Sequence, residues 1–326
     1  RDGVQDGSGA EGADDPGWGA VAGAPSRNWP MNRRFLFVLI LIWLGVGWGS
    51  TQPLGKIATQ GGAGPFALIF WQSVICVVVL GVISGIRGRG LVFTWRALTF
   101  YGVVAVIGTL IPNTTFYLSV VHLPSGIMSI IISTIPLIAF PMALVLGMEQ
   151  FRAMRLFGLL LGLGGVVLIA LPQASLPDPA MAAFLPLAMV GPLFYAPEAI
   201  FVARFGTAGM DPVQAMFGVS VAAALFSLPI MLASGQGHVP WPLGRAEAAL
   251  IGSSVLHGLL YSTYVWLAGR AGSVFASQST YLVTASGVVW AMLLLGERFS
   301  PMIWVALVVM LAGVALVQPR GKAVAA

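Results

Sequence analysis

Glu198 and His257 have the clearest capacity for chemistry in this sequence, because each lies inside a long apolar run. A carboxyl group and an imidazole so placed can hold or pass a proton, and an imidazole changes charge near neutral pH. Ser254, His257, Tyr261 and Tyr264 follow at helical spacing, which puts them on one helix face. Further polar and aromatic clusters sit in other apolar runs: Trp48 with Gln52, Asn113 with Phe116 and Tyr117 just after Pro112, Tyr195 before Pro197, and Gln278 with Tyr281. Hydroxyls, amides and rings of this kind suit hydrogen bonding and stacking with an organic solute. Plain helix-to-helix packing accounts for each cluster equally well. Glu198 also stands close enough to Arg204 to pair with it or to reach for water.

Catalysis by other routes finds no support. The sequence has no G-x-S-x-G frame, no H-E-x-x-H and no Walker A loop. Its three histidines, His122, His238 and His257, are too far apart in sequence for a local metal site, and Cys76 is the lone cysteine. No enzyme activity, metal or cofactor is expected.

The elements that must hold these residues follow from composition. Of 326 residues, 58% are hydrophobic and 8% charged, against about 25% charged in an ordinary soluble domain. Only eighteen charged side chains are spread over residues 35–326. A soluble surface of that extent needs far more charge, so a soluble enzyme and a nucleic-acid binder are both excluded despite a pI near 9.8. A bilayer core about 30 Å thick needs about 20 apolar residues per helix. Ten stretches qualify: 35–55, 66–86, 97–118, 124–146, 154–172, 182–203, 212–232, 247–268, 273–295 and 300–318. They are continuously apolar, not alternating, which favours helices over a barrel. Prolines 112, 136, 141, 192 and 197 fall inside them and free backbone carbonyls for other partners. With the N-terminus in the cytoplasm, eleven basic residues lie inside and three (Lys56, Arg245 and Arg298) outside. Ten spans then place both termini inside, in the plasma (inner) membrane.

An internal repeat carries the functional argument. Residues 147–154 match 295–302 at an offset of 148, which pairs Glu149 with Glu297, Phe151 with Phe299 and Met154 with Met302. The same offset pairs Thr115 with Thr263, and Ser125 and Ser129 with Ser273 and Ser277. Five spans are followed by five, and because five is odd the second copy enters the bilayer inverted. Two halves of this kind can rock about a midplane site and so alternate its access between the two sides. The expected division is a disordered cytoplasmic tail or upstream extension over 1–34, a first five-helix repeat over 35–172, a second over 181–318, and a cytoplasmic tail over 319–326.

Trp48-Gly49-Ser50 followed by Lys56, Pro136 in the fourth span, and the corners at Glu149 and Glu297 together resemble the EamA-like branch of the drug/metabolite transporter superfamily. The sequence departs from that pattern at Phe70-Trp71-Gln72, where the family often carries an arginine, and at Thr284, which occupies the place matching Pro136. The resemblance implies an all-α integral membrane protein, with export or import of small metabolites or drugs by exchange or proton coupling. The expected function is therefore a gradient-driven secondary transporter for a small organic solute such as an amino acid, a vitamin-like metabolite or a drug. The alternative is a non-transporting membrane protein, an assembly partner or an embedded enzyme on the same fold. The substrate-binding candidates are Trp48, Gln52, Asn113, Phe116, Tyr117, Tyr195, His257, Tyr261, Tyr264, Gln278 and Tyr281, with Glu198 and His257 as proton carriers. No paired Arg or Lys lies at depth, which disfavours a polyanion and favours a neutral, zwitterionic or aromatic solute. The expected partners are that solute and the bilayer, without nucleic acid. Lys56, near the outer end of the first span, reads as an anchor or gate residue. Gly158, Gly162 and Gly165 offer a small-residue face for internal or intersubunit packing, and oligomeric state stays open.

Overall fold

The computed structural model describes residues 31–148, 151–170, 178–271, 276 and 278–317. The tails, Glu149, Ser273 and Ser277 lie outside the described residues. Ten apolar helices run through the described residues, seven of them long enough to cross a membrane and three shorter. They are α1 (Met31–Thr59), α2 (Pro65–Ile86), α3 (Trp95–Val120), α4 (Ser125–Val145) and α5 (Ala153–Ala170), then α6 (Leu185–Phe205), α7 (Pro212–Ala233), α8 (Arg245–Ala271), α9 (Ser279–Leu295) and α10 (Pro301–Val317).

Local chemistry sets their ends. Pro65, Pro212 and Pro301 start helices at the position where a missing N–H costs nothing. Asp211 caps α7 by accepting from Val213 N and Gln214 N, while the Gln214 side chain accepts from Asp211 N. This reciprocal box satisfies donors that a helix start leaves orphaned. Gly296 closes α9 at φ +65°, a left-handed position that suits glycine. Within the helices, serines and threonines such as Ser73, Ser220 and Ser262 return their hydroxyls to carbonyls one turn back. In lipid each polar group needs such a partner.

Two prolines stand at faults in the helices. In α3, Pro112 cannot donate to the carbonyl one turn back, and the turn before it widens to a π-helix over Ala105–Leu110. Ile111 N then bonds Val106 O, five residues away. In α4 the helix breaks between Ser125–Ile132 and Ile135–Val145, just ahead of Pro136. A 3₁₀ turn, Pro179–Phe184, leads into α6.

The most extensive helix pairings are unchanged when the two groups of five are exchanged. α1 packs on α8 and α9, as α6 packs on α3 and α4. α2 packs on α8 as α7 packs on α3, while the pairs α2–α7, α4–α9 and α5–α10 map onto themselves. The α5–α10 pair is glycine-mediated: a Cβ at position 313 would stand 2.5 Å from Gly162 N and 2.6 Å from Gly158 O. The face carrying Gly158, Gly162 and Gly165 is thus used inside the chain. Trp43 and Trp304 are exposed on the outside of the bundle, where a bilayer would cover them.

Candidate functional site

Polar side chains on apolar helices converge because lipid offers them no partner. Here they meet in a cavity of about 580 Å³ between the two groups of five helices, lined by residues of α1, α2, α3, α4, α6, α8 and α9. A volume of that order suits a small organic molecule.

One wall is a hydrogen-bonded amide and phenol chain. Tyr195 Oη donates to Asn113 Oδ1 at 3.3 Å, and Asn113 Nδ2 donates to Gln72 Oε1 at 3.4 Å. Tyr117 Oη donates to the same Gln72 oxygen at 3.1 Å. The chain links α6, α3 and α2, so it crosses from one half to the other. A second group of lining side chains is aromatic. The ring of Trp48 on α1 lies 5.5 Å from that of Tyr264 and 6.3 Å from that of Tyr261, in tilted and edge-on arrangements. The His257 ring stands 6.2 Å from Tyr261.

Glu198 joins the aromatic wall. It is 5% exposed and accepts a hydrogen bond from Tyr261 Oη. Its carboxyl lies against the π-helical turn of α3: a Cβ at Gly108 would come within 3.1 Å of Glu198 Cδ. Position 108 therefore has to be small for the carboxyl to take this place. Arg204 does not pair with Glu198; its guanidinium lies 5.9 Å over the Phe205 ring. Gln52, 9% exposed and on the cavity wall, has a buried Oε1 with no hydrogen-bond partner among the described residues.

The cavity extends toward one end of the bundle. It reaches Gly206, Thr207 and Pro212 at the α6–α7 turn, and Ser279 and Thr280 at the start of α9. At the other end, beyond Gly55 and Tyr117, a polar latch crosses between the halves. Glu297, in the turn after α9, accepts from Ser125 N at 2.8 Å, Ser125 Oγ at 3.0 Å and Gly126 N at 3.1 Å. Lys56 Nζ lies 3.5 Å from Glu297 Oε1 and donates to Leu123 O at 2.8 Å. Phe299 seals the same corner, its ring occupying the space where a side chain on Gly126 would go.

Of the eleven substrate-binding candidates, Trp48, Gln52, Asn113, Phe116, Tyr117, Tyr195, His257, Tyr261 and Tyr264 line the cavity, as does Glu198. Gln278 and Tyr281 do not. Gln278 is exposed before α9, and Tyr281 packs against Leu137 and Phe140 of α4. Ser254 also leaves the expected stripe: it is buried toward α2, where Cys76 Sγ donates to its carbonyl, and Ser253 lines the cavity instead. Sequence reasoning missed Gln72, the junction of the amide chain. The signal was present, since an amide in the apolar run 65–86 requires a partner as much as Asn113 does. Gly108 carried no such signal, because its role comes from a distant carboxyl.

Comparisons with known proteins bear on the fold and the family. Residues 35–171 and 183–318 each match the model of the EamA-like transporter family. A search of curated proteins gives no match. A solved structure described only as "Crystal structure of protein" is similar at a TM-score of 0.61 and 20% identity, covering 86% of this chain and 96% of that one. At that identity the likeness concerns the fold alone.

Proposed function

The chain belongs to the EamA-like transporter family, and from that premise we propose that this multi-pass membrane transporter is a secondary carrier for a small organic solute. The carrying observation is the 580 Å³ cavity between the halves, which reaches one end of the bundle and is shut off from the other by the Lys56–Glu297–Ser125 latch. In this reading the two five-helix repeats, 35–172 and 181–318, are inverted in the membrane. The excess of basic residues at the ends where α1 begins and α10 finishes supports cytoplasmic termini in a plasma membrane. The cavity then faces the cytoplasm, and the latch is the closed outer gate. Rocking one half against the other exposes the same walls to the other side.

The lining supports a neutral, zwitterionic or aromatic solute: an amide and phenol chain, a cluster of rings, and no Lys or Arg among the described lining residues. Trp48, Gln52, Asn113, Phe116, Tyr117, Tyr195, His257, Tyr261 and Tyr264 serve as the solute contacts. Glu198 and His257 serve as proton carriers, since they are the titratable acid and imidazole on the wall. The test is flux in liposomes containing the purified protein, across a panel of amino acids, vitamins and drugs. It is paired with cysteine crosslinks that trap the gate closed on each side in turn. Flux abolished by either crosslink supports alternating access. Failure of every solute to move, with only one state ever trapped, favours a non-transporting membrane protein on this fold.

A further inference from the structure

Two acceptors on the cavity wall, the Glu198 carboxyl and Gln52 Oε1, are buried and short of donors among the described residues. Glu198 receives one hydrogen bond among the described residues, from Tyr261, whereas an ionised carboxylate offers about four acceptor positions. Gln52 Oε1 is buried with no hydrogen-bond partner among the described residues. Asn113 Nδ2 gives one of its two N–H donors to Gln72. No Lys or Arg stands among the described lining residues to meet an anionic solute. A buried carboxylate and a buried carbonyl oxygen are each costly until a donor arrives.

Aromatic faces complete the pattern. Trp48 lies one turn from Gln52 on α1, and its ring meets those of Tyr261 and Tyr264 at 6.3 and 5.5 Å. Tyr261 is also the donor to Glu198, so the rings and the carboxylate form one wall. A desolvated ammonium group is attracted to such faces as well as to the carboxylate.

We propose that the solute carries a protonated amine, read by Glu198 and Gln52 Oε1 and flanked by the Trp48, Tyr261 and Tyr264 rings, on an apolar or aromatic body. This rests on the carrier reading and narrows its solute class from neutral, zwitterionic or aromatic to amine-bearing.

The test uses four probes with a shared phenylalkyl body: 2-phenylethylamine, 2-phenylethanol, 3-phenylpropionate and phenylalanine. Binding to the purified full-length protein is followed by thermal shift and tryptophan fluorescence, and flux is followed in liposomes. The amine is expected to bind roughly tenfold or more tighter than the alcohol, with the carboxylate weakest. Glu198→Gln keeps the side-chain shape and an acceptor for Tyr261 Oη; it is expected to erase the preference for amine over alcohol. Trp48→Leu, in a different helix, is expected to weaken the amine as well, so the conclusion does not hang on one variant folding. Equal binding of amine and alcohol by wild type, tighter binding of the carboxylate, or no binding by any probe overturns the proposal. So does a preference that survives Glu198→Gln. Flux of the alcohol or carboxylate without the amine overturns the amine site but leaves the carrier. Tight amine binding without any flux keeps the site and overturns the carrier reading.

Discussion

Replacing Glu297 by Gln should open the sealed end of the cavity. The wild-type carboxylate satisfies two backbone donors and one hydroxyl at the start of the fourth helix, at 2.8, 3.1 and 3.0 Å, and faces Lys56 at 3.5 Å. Glu297 is 12% and Lys56 23% exposed, so water screens these contacts only in part. An amide can keep the bonds from Ser125 on its oxygen, but its NH₂ then meets the Gly126 N–H donor to donor. One charge-assisted bond is lost, worth about 1.5–3 kcal/mol. The ion pair adds up to about 1 kcal/mol, and the favourable charge at a helix start about 0.3–1 kcal/mol. A net loss of about 3 kcal/mol shifts a two-state closed-to-open equilibrium by roughly 150-fold. Lys56→Met removes only the ion pair and the bond to Leu123 O, a loss of about 2 kcal/mol and a shift of roughly thirtyfold. The assay places a cysteine at Thr51, on the cavity wall, in a Cys76→Ala background. Its labelling by a membrane-impermeant thiol reagent is timed from the outer face of intact cells. Faster labelling in the order Glu297→Gln, Lys56→Met, unmodified gate is expected. Identical labelling rates in all three, with each protein folded and inserted, refute the latch as a gate.

Transport across an imposed pH gradient should lose its pH dependence in Glu198→Gln or in His257→Ala. The titratable groups facing this pair are Tyr195 from the sixth helix and Tyr261 and Tyr264 from the eighth; an unchanged profile in both variants rejects a proton role for the pair. Gly313→Val should prevent recovery of folded protein, because its Cβ would stand 2.5 Å from Gly162 N, whereas Gly164→Ala, with nothing within 4 Å, should be neutral. Size-exclusion profiles in detergent report both. Asp211 receives Arg89 at 2.9 Å and Arg87 at 3.3 Å while capping the seventh helix. Burial opposes its ionisation, but hydrogen bonds from Gln214 N, Arg89 and Val213 N and the charge of Arg87 outweigh it and hold the carboxyl below its ordinary value. Its contribution is therefore whole above about pH 4 and lost as pH falls through the lower folded value. Asp211→Asn, which retains a capping side chain, should cost less melting temperature than Asp211→Ala, by about 1 kcal/mol of cap; equal losses contradict the capping role.

The ten helices and their approximate ends were legible because hydrocarbon imposes a length and an apolar composition that no tertiary contact can waive. The π-helical turn before Pro112 and the break ahead of Pro136 were legible as helix faults, since proline withholds its donor. Which polar groups share a wall was much less legible. Helical spacing placed Ser254 on the same face as His257, yet a small drift around the helix turns it toward the second helix and brings Ser253 to the cavity. Gln278 and Tyr281 have the residue types of a site and lie outside it, because the ninth helix presents its Thr280 and Val283 face to the cavity.

Sequence alone thus determined the solvent, the number of apolar helices and the doubling of five helices into ten, since each depends on composition or on self-similarity along the chain. Only the tertiary structure decided the partners. Glu198 takes Tyr261 in preference to the nearby Arg204, and Glu297 closes on Lys56 and Ser125 from the opposite half of the chain. Those choices follow from which helices lie side by side. A bilayer tells every polar side chain to find a partner inside the bundle, but only the packing says which one.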